Sequence, residues 1–161
     1  MKVVSHSPEE TLKLGEILGS QLVPGDIVLL FGDLGAGKTT FTQGITRGLG
    51  MAKNEYIRSP TFTLINEYQA RVPIYHIDLY RMDSAQDIES LGLEEVLFGE
   101  GVAIVEWAEK LFPKTGRPAP IGLELIERLE VKISPQHETE RSFEFRMVNM
   151  GNRRLPNFSL Q

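Results

Sequence analysis

Gly32-Asp33-Leu34-Gly35-Ala36-Gly37-Lys38-Thr39 fits the pattern G-x-x-x-x-G-K-[ST], in which a strand runs through a glycine-rich turn into a helix around an anion. Glycines in such a turn adopt backbone angles that a Cβ forbids, so consecutive N–H groups turn inward as a cradle. The lysine then reaches the terminal phosphates of a nucleotide, and the hydroxyl that follows it is a ligand for Mg²⁺.

The flanks carry the context the pattern needs. Upstream, Asp26-Ile27-Val28-Leu29-Leu30-Phe31 follows a Pro24-Gly25 turn as a short apolar run, suited to a strand buried on both faces. Downstream, Thr40 to Leu49 puts Phe41, Ile45 and Leu49 at helical spacing and closes at Gly50. The helix N-terminus therefore points unpaired N–H groups and its positive dipole end at the anion. With no nucleotide in place, Lys38 is expected to be solvated.

Further out, elements of the two types alternate. Ser7-Pro8-Glu9-Glu10 reads as a capping box, with Ser7 as N-cap, Pro8 at the first helical position and Glu10 reaching back. Leu12, Leu14, Ile17, Leu18 and Leu22 continue it as an apolar stripe down to Pro24. Phe62–Tyr68 and Val72–Asp78 flank a short polar turn and predict an antiparallel hairpin. Ser84 to Leu91 predicts a short helix capped by Ser84 with Asp87 three residues on. Gly101–Val105 is a second strand buried on both faces, and Gly122–Ile133 and Ser142–Val148 predict two more around a turn at Ser134–Glu140.

Composition narrows the class. The 161 residues suffice for one domain, assigned to 1–150, with 151–161 as a flexible C-terminal tail. Hydrophobic residues at 41% and charged ones at 24% are those of an ordinary globular protein. The absence of cysteine removes disulfides, thiolate metal sites and cysteine catalysis. Without an apolar leader or a run of membrane-spanning length, the expectation is a cytoplasmic protein with no membrane partner. A net charge of −5 speaks against a broad nucleic-acid footprint, and only Arg153-Arg154 is locally basic.

A phosphate loop needs a carboxylate at the end of a neighbouring strand, acting on Mg²⁺ or on an attacking water. Glu106 follows Val102–Val105 in the manner of a Walker B acid, and Asp78 ends the run Ile74–Ile77. His76 shares a strand face with Asp78, but without a third ligand it reads as a structural histidine. Ser59-Pro60-Thr61-Phe62-Thr63 lies where nucleotide switches place a mobile hydroxyl-bearing segment. Trp107, the only tryptophan, reads as a packing residue.

Four segments in this order, Gly32–Thr40 (GDLGAGKTT), Ser59–Leu64 (SPTFTL), His76–Arg81 (HIDLYR) and Val105–Trp107 (VEW), resemble the TsaE family. These are small bacterial ATPases required for the threonylcarbamoyladenosine modification beside the anticodon of certain tRNAs. The resemblance spans about residues 5 to 148. It implies an α/β fold, a three-layer α/β/α P-loop NTPase domain with a mixed sheet. It implies ATP held by Gly35, Ala36, Gly37, Lys38, Thr39 and Thr40, Mg²⁺ on Thr39 and Glu106, and Asp78 near the γ-phosphate as a catalytic or water-orienting group. It places Ser7, Thr11 and Arg141 on the adenine side, while Thr61 is a nucleotide-contact candidate through its place in the hydroxyl-bearing segment Ser59–Thr63. The partners the resemblance implies are a TsaD-type transferase and its TsaB-type paralogue; the charge balance, 17 basic against 22 acidic residues, separately predicts no strong direct tRNA binding by the chain alone.

Other classes stay open on the loop alone. A small-molecule or nucleotide kinase shares the loop and Mg²⁺ chemistry but needs an acceptor pocket and usually an arginine-bearing lid, for which no insertion is evident. A non-enzymatic nucleotide-binding scaffold keeps Lys38 and Thr39 without turnover. A GTPase needs an N-K-x-D guanine reader, and the sequence has none.

Overall fold

The computed structural model describes residues 1–112 and 126–160. At its centre the apolar run predicted to be a strand is β2 (Ile27–Phe31), flanked in parallel by β5 (Val102–Glu106) and β6 (Arg128–Pro135). β4 (Pro73–Asp78) runs parallel on the far side of β5, and β3 (Ile65–Gln69) closes that edge antiparallel. At the other edge β7 (Arg141–Val148) pairs antiparallel with β6, and β1 (Lys2–Ser5) antiparallel with β7. The seven strands form one mixed sheet in the order β1-β7-β6-β2-β5-β4-β3.

Alternation along β2 divides its side chains between two cores. Val28 and Leu30 face α1 (Pro8–Gly19) and α2 (Lys38–Gly48), whose Leu14, Leu18, Phe41 and Ile45 bury against them. Ile27 and Leu29 face the other side, where Ile88 of α3 (Ala85–Glu89), Leu93 and Leu97 of α4 (Leu93–Leu97) and Leu111 of a 3-10 turn (Ala108–Leu111) cover them. A strand covered on both faces has no polar face to show, which is why β2 and β5 read as unbroken apolar runs. The result is the predicted three-layer α/β/α arrangement.

α1 and α2 lie side by side in the same direction and approach to backbone contact. Gly15 and Gly19 of α1 face Gly44 and Gly48 of α2, and a Cβ on Gly15 would lie 2.5 Å from the Phe41 carbonyl oxygen. Both helix N-termini consequently sit at the same edge of the sheet.

Several boundaries differ from the sequence expectation. β1 and α4 were not anticipated. The first hairpin strand starts at Ile65 rather than Phe62, because Leu64 turns the chain with a positive φ of 69° and its N–H bonds back to the Pro60 carbonyl. Ser7 caps α1 by accepting the Glu10 N–H at 3.1 Å, but the Glu10 carboxylate reaches past Ser7 to the His6 N–H at 2.7 Å. α1 ends at Gly19, and Leu22 joins the core from the following turn. The strand expected over Gly122–Ile133 begins, within the described residues, at Arg128; positions 122–125 lie outside them.

The segment expected to be a flexible tail is instead laid against the body. Leu155, Phe158 and Leu160 pack on the α1/α2 core, Phe158 stacks on Phe145 at 4.5 Å, and Arg153 forms a two-pronged ion pair with Asp26. Its apolar residues have sheet surface to bury, and its arginine has a buried carboxylate to meet. Among the described residues no helix is long and apolar enough to cross a membrane.

Candidate active site

The turn leaving β2 carries positive φ at Gly35 (76°) and Gly37 (105°), and Gly37 is the N-cap of α2. No side chain caps that helix, so the first N–H groups of α2 face outward into a cleft of about 450 Å³. The cleft is bordered by Gly35, Ala36, Gly37, Lys38, Thr39 and Thr40 from the turn and α2, and by Ser59, Thr61, Asp78, Tyr80, Glu106 and Trp107 opposite. A larger hollow of about 740 Å³, by Lys2, Glu130, Lys132 and Glu144, borders none of the turn. The chemistry concentrates in the smaller one.

Both carboxylates arrive by the same construction. Asp78 and Glu106 are the last residues of β4 and β5 and are paired in register, while Leu30 of β2 is level with Glu106. Three parallel strands therefore end together, at the carboxyl edge where α/β sheets place ligands. Thr39 donates to the Glu106 carboxylate at 3.2 and 3.3 Å, and Thr42, one turn later, lies 3.4 Å from its Oε1. Asp78 Oδ2 accepts from the hydroxyls of Ser59 and Thr61, and its Oδ1 from the Tyr80 N–H at 2.8 Å. The hydroxyl segment read as a switch is thus tied directly to the second carboxylate.

Lys38 is 5% exposed, which corrects the expectation of a solvated lysine. Its ammonium donates to the carbonyl oxygens of Gly32 and Asp33 and lies 3.9 Å over the Trp107 ring. Burial lowers its pKa from the ordinary lysine value, against the opposing pull of Glu106, Glu109, Asp78 and Asp33. Trp107, expected to be a packing residue, stands on the cleft wall between Lys38 and the Tyr80 ring, 4.9 Å away, with its own φ at 58°. The αL backbone at Trp107 turns the chain sharply as it leaves β5.

His76 is fully buried on β4, and its Nε2 meets Glu106 Oε1 at 2.8 Å. The sequence reading of a satisfied structural histidine is half met, because its Nδ1 has no hydrogen-bond partner among the described residues.

Ser7, Thr11 and Arg141 gather around Ser5 rather than lining the cleft. Ser5 pairs with Arg141 in the sheet, donates its hydroxyl hydrogen bond to the Ser7 carbonyl at 2.9 Å and lies 2.7 Å from Thr11 Oγ1. The Arg141 guanidinium is turned onto the carbonyl oxygens of His137, Glu138 and Glu140 at 3.0–3.1 Å. The parallel course of α1 and α2 nevertheless puts this group at the edge from which the cleft opens.

Three contributors escaped the sequence reading, Tyr80 among them, whose N–H holds Asp78. Thr42 carried a usable signal, lying three residues after Thr39 on one helix face. Glu109, which pulls electrostatically on Lys38 from the 3-10 turn, carried none.

A glycine turn cradling a helix N-terminus beside two strand-end carboxylates, on a mixed α/β sheet, defines a P-loop NTPase-type domain. A solved structure of Bacillus subtilis YdiB has the same architecture, with a TM-score of 0.70 and 37% identity, over 92% of this chain and 86% of that one. The family model described as "Threonylcarbamoyl adenosine biosynthesis protein TsaE" matches residues 5–143, and the chain belongs to the TsaE family. A Bacillus subtilis protein named "tRNA threonylcarbamoyladenosine biosynthesis protein TsaE" is 42% identical over 148 residues, covering 91% of this chain and 84% of its own. A Treponema pallidum protein of the same name is 42% identical over 111 residues, covering 69% and 81%.

Proposed function

We propose that this protein binds ATP with Mg²⁺ and hydrolyses it in support of tRNA threonylcarbamoyladenosine formation in the cytoplasm. It acts on a transferase complex of the TsaD–TsaB type, and its turnover is low without those partners. The observation that carries the reading is the meeting of the α2 N-terminus with Asp78 and Glu106 in one cleft. The names of the relatives supply the pathway.

The residues fit the nucleotide and the metal. Gly35 and Gly37 leave open space where a Cβ would point, so a phosphate can approach the backbone. Thr39 and Glu106 offer two hard oxygen ligands, the small protein share typical of Mg²⁺ sites completed by phosphates and water. When bound there, Mg²⁺ neutralises charge developing on the β- and γ-phosphate oxygens.

The chain's own groups then divide the work. N–H groups of Gly35 to Thr40 hold the phosphates, and Lys38 exchanges the Gly32 and Asp33 carbonyls for the terminal phosphate oxygens. Asp78, fixed by Ser59, Thr61 and the Tyr80 N–H, accepts a hydrogen bond from the attacking water and orients it. Ser7, Thr11 and Arg141 serve the adenine side, and the Ser59–Thr63 segment responds to the γ-phosphate through its hydroxyls on Asp78.

The test is phosphate release with and without the partner complex. A family ATPase responds to protein partners, whereas a small-molecule or nucleotide kinase responds to a small acceptor and a scaffold to neither. In the stimulated assay Glu106→Gln is expected to lower the rate on the order of 10²–10³, the cost of losing one transition-state charge contact. Wild-type turnover in a folded Glu106→Gln protein overturns the metal assignment.

A further inference from the structure

Glu106 is 2% exposed, yet most of its hydrogen bonds are shared ones. The single hydroxyl hydrogen of Thr39 is divided between both carboxylate oxygens, at 3.2 and 3.3 Å. That of Thr42 is given to the Lys38 carbonyl at 2.8 Å and only grazes Oε1 at 3.4 Å. His76 Nε2, at 2.8 Å from Oε1, is the one short donor among the described residues aimed at this carboxylate alone. A carboxylate only accepts, so Nε2 carries the hydrogen.

The ring makes no other hydrogen bond among the described residues. It is fully buried, and Nδ1 is left without a partner. For packing alone this position would be better filled by an apolar side chain, because a buried polar atom without a partner costs free energy. The register explains the contact. His76 is paired with Ile104 on β5, two residues before Glu106, so ring and carboxylate share one sheet face, under α2.

We propose that His76 is a positioning residue: it pins Glu106 Oε1 and so leaves Oε2 presented beside Thr39 as the metal-facing oxygen. This rests on the Mg²⁺–ATP reading above. Its signature is a change in how strongly Mg²⁺ tightens nucleotide binding, with binding in the absence of Mg²⁺ unaltered. The expected loss is roughly 10–100-fold, as for other groups that orient a metal ligand.

The experiment compares His76→Asn with His76→Gln, titrating each with a fluorescent N-methylanthraniloyl ATP with and without Mg²⁺. Both amides bury a similar polar group, but only the Gln amide nitrogen reaches the position of Nε2. His76→Asn is expected to lose most of the Mg²⁺ effect and His76→Gln to keep most of it, at matched melting temperatures. Equal retention or equal loss in the two variants overturns the proposal. If Glu106→Gln abolishes the Mg²⁺ effect while His76→Asn preserves it, only the role of His76 fails. If Mg²⁺ does not tighten binding in the wild type, the Mg²⁺–ATP reading fails and this proposal with it. A measurement on the unmutated protein guards against variants that do not fold. In histidine ¹⁵N spectra, a proton on Nε2 of His76 supports the contact, and a proton on Nδ1 alone overturns it.

Discussion

Around the phosphate loop, each residue's behaviour follows from what its neighbours leave it. Glu109 is the clearest case. Its Oε2 is buried without a hydrogen-bond partner among the described residues, and burial raises its pKa above the ordinary 4.5. Its own N–H and Lys38 pull the other way, while Asp33 adds to the rise. A carboxyl whose folded pKa is raised binds more protons folded than unfolded, so its contribution to stability falls as pH climbs from 4.5 through the folded value. Above that value the full penalty is present. Glu109→Gln is therefore expected to melt higher than wild type at pH 7, with the gain shrinking toward pH 4.5. A gain independent of pH, or a lower melting temperature at pH 7, would contradict this account. The carboxylates Asp78 and Glu106 were legible because an acid closing an apolar strand is a local pattern. Glu109 was not, because only the turn after Trp107 brings it toward Lys38.

At the level of elements, legibility depended on length and on whether the partner was local. β2, β5 and α2 declared themselves through unbroken apolar runs and through helical spacing of Phe41, Ile45 and Leu49. β1 is four residues long and is a strand only because β7 lies beside it, and α4 is five residues long, below what periodicity resolves. The contact between α1 and α2 was written in the sequence as glycines four apart in each helix, but its meaning needed both helices. Gly44 sits over the Leu12 backbone, and an added Cβ would overlap the Leu12 carbonyl oxygen rather than a side chain that could swing aside. Gly44→Ala is accordingly expected to destabilise by roughly 1–3 kcal/mol despite the better helix propensity of alanine. Because α2 carries Lys38, Thr39 and Thr40 at its start, the same change should weaken nucleotide binding by shifting the cradle. Chemical denaturation and nucleotide titration check the two effects; an unchanged midpoint would show that the helices separate freely.

For the molecule as a whole, charge and the course of the C-terminal segment bear on what it can touch. The proposed pathway ends on tRNA, which makes an RNA-binding surface a natural guess. Non-specific affinity for a polyphosphate chain comes almost wholly from clustered Lys and Arg that release counterions, and here 17 basic residues stand against 22 acidic ones. The local basic pair is Arg153-Arg154, and Arg153 is already committed to Asp26. Bringing Arg153 to a phosphate would leave Asp26, 7% exposed, with only the Val23 N–H at 2.8 Å among the described residues. Phe158, stacked on Phe145, further holds this segment against the sheet. The isolated protein is therefore expected to show no saturable tRNA binding up to roughly 10⁻⁴ M at physiological salt. Its effect on tRNA would pass through protein contacts. The check is a titration of labelled tRNA against the purified protein, alone and with ATP and Mg²⁺, repeated across salt concentrations. Low-micromolar affinity with a steep salt slope would overturn this. Loss of that affinity in an Arg153→Ala, Arg154→Ala protein would then identify the C-terminal segment as an RNA contact that leaves Asp26 on binding.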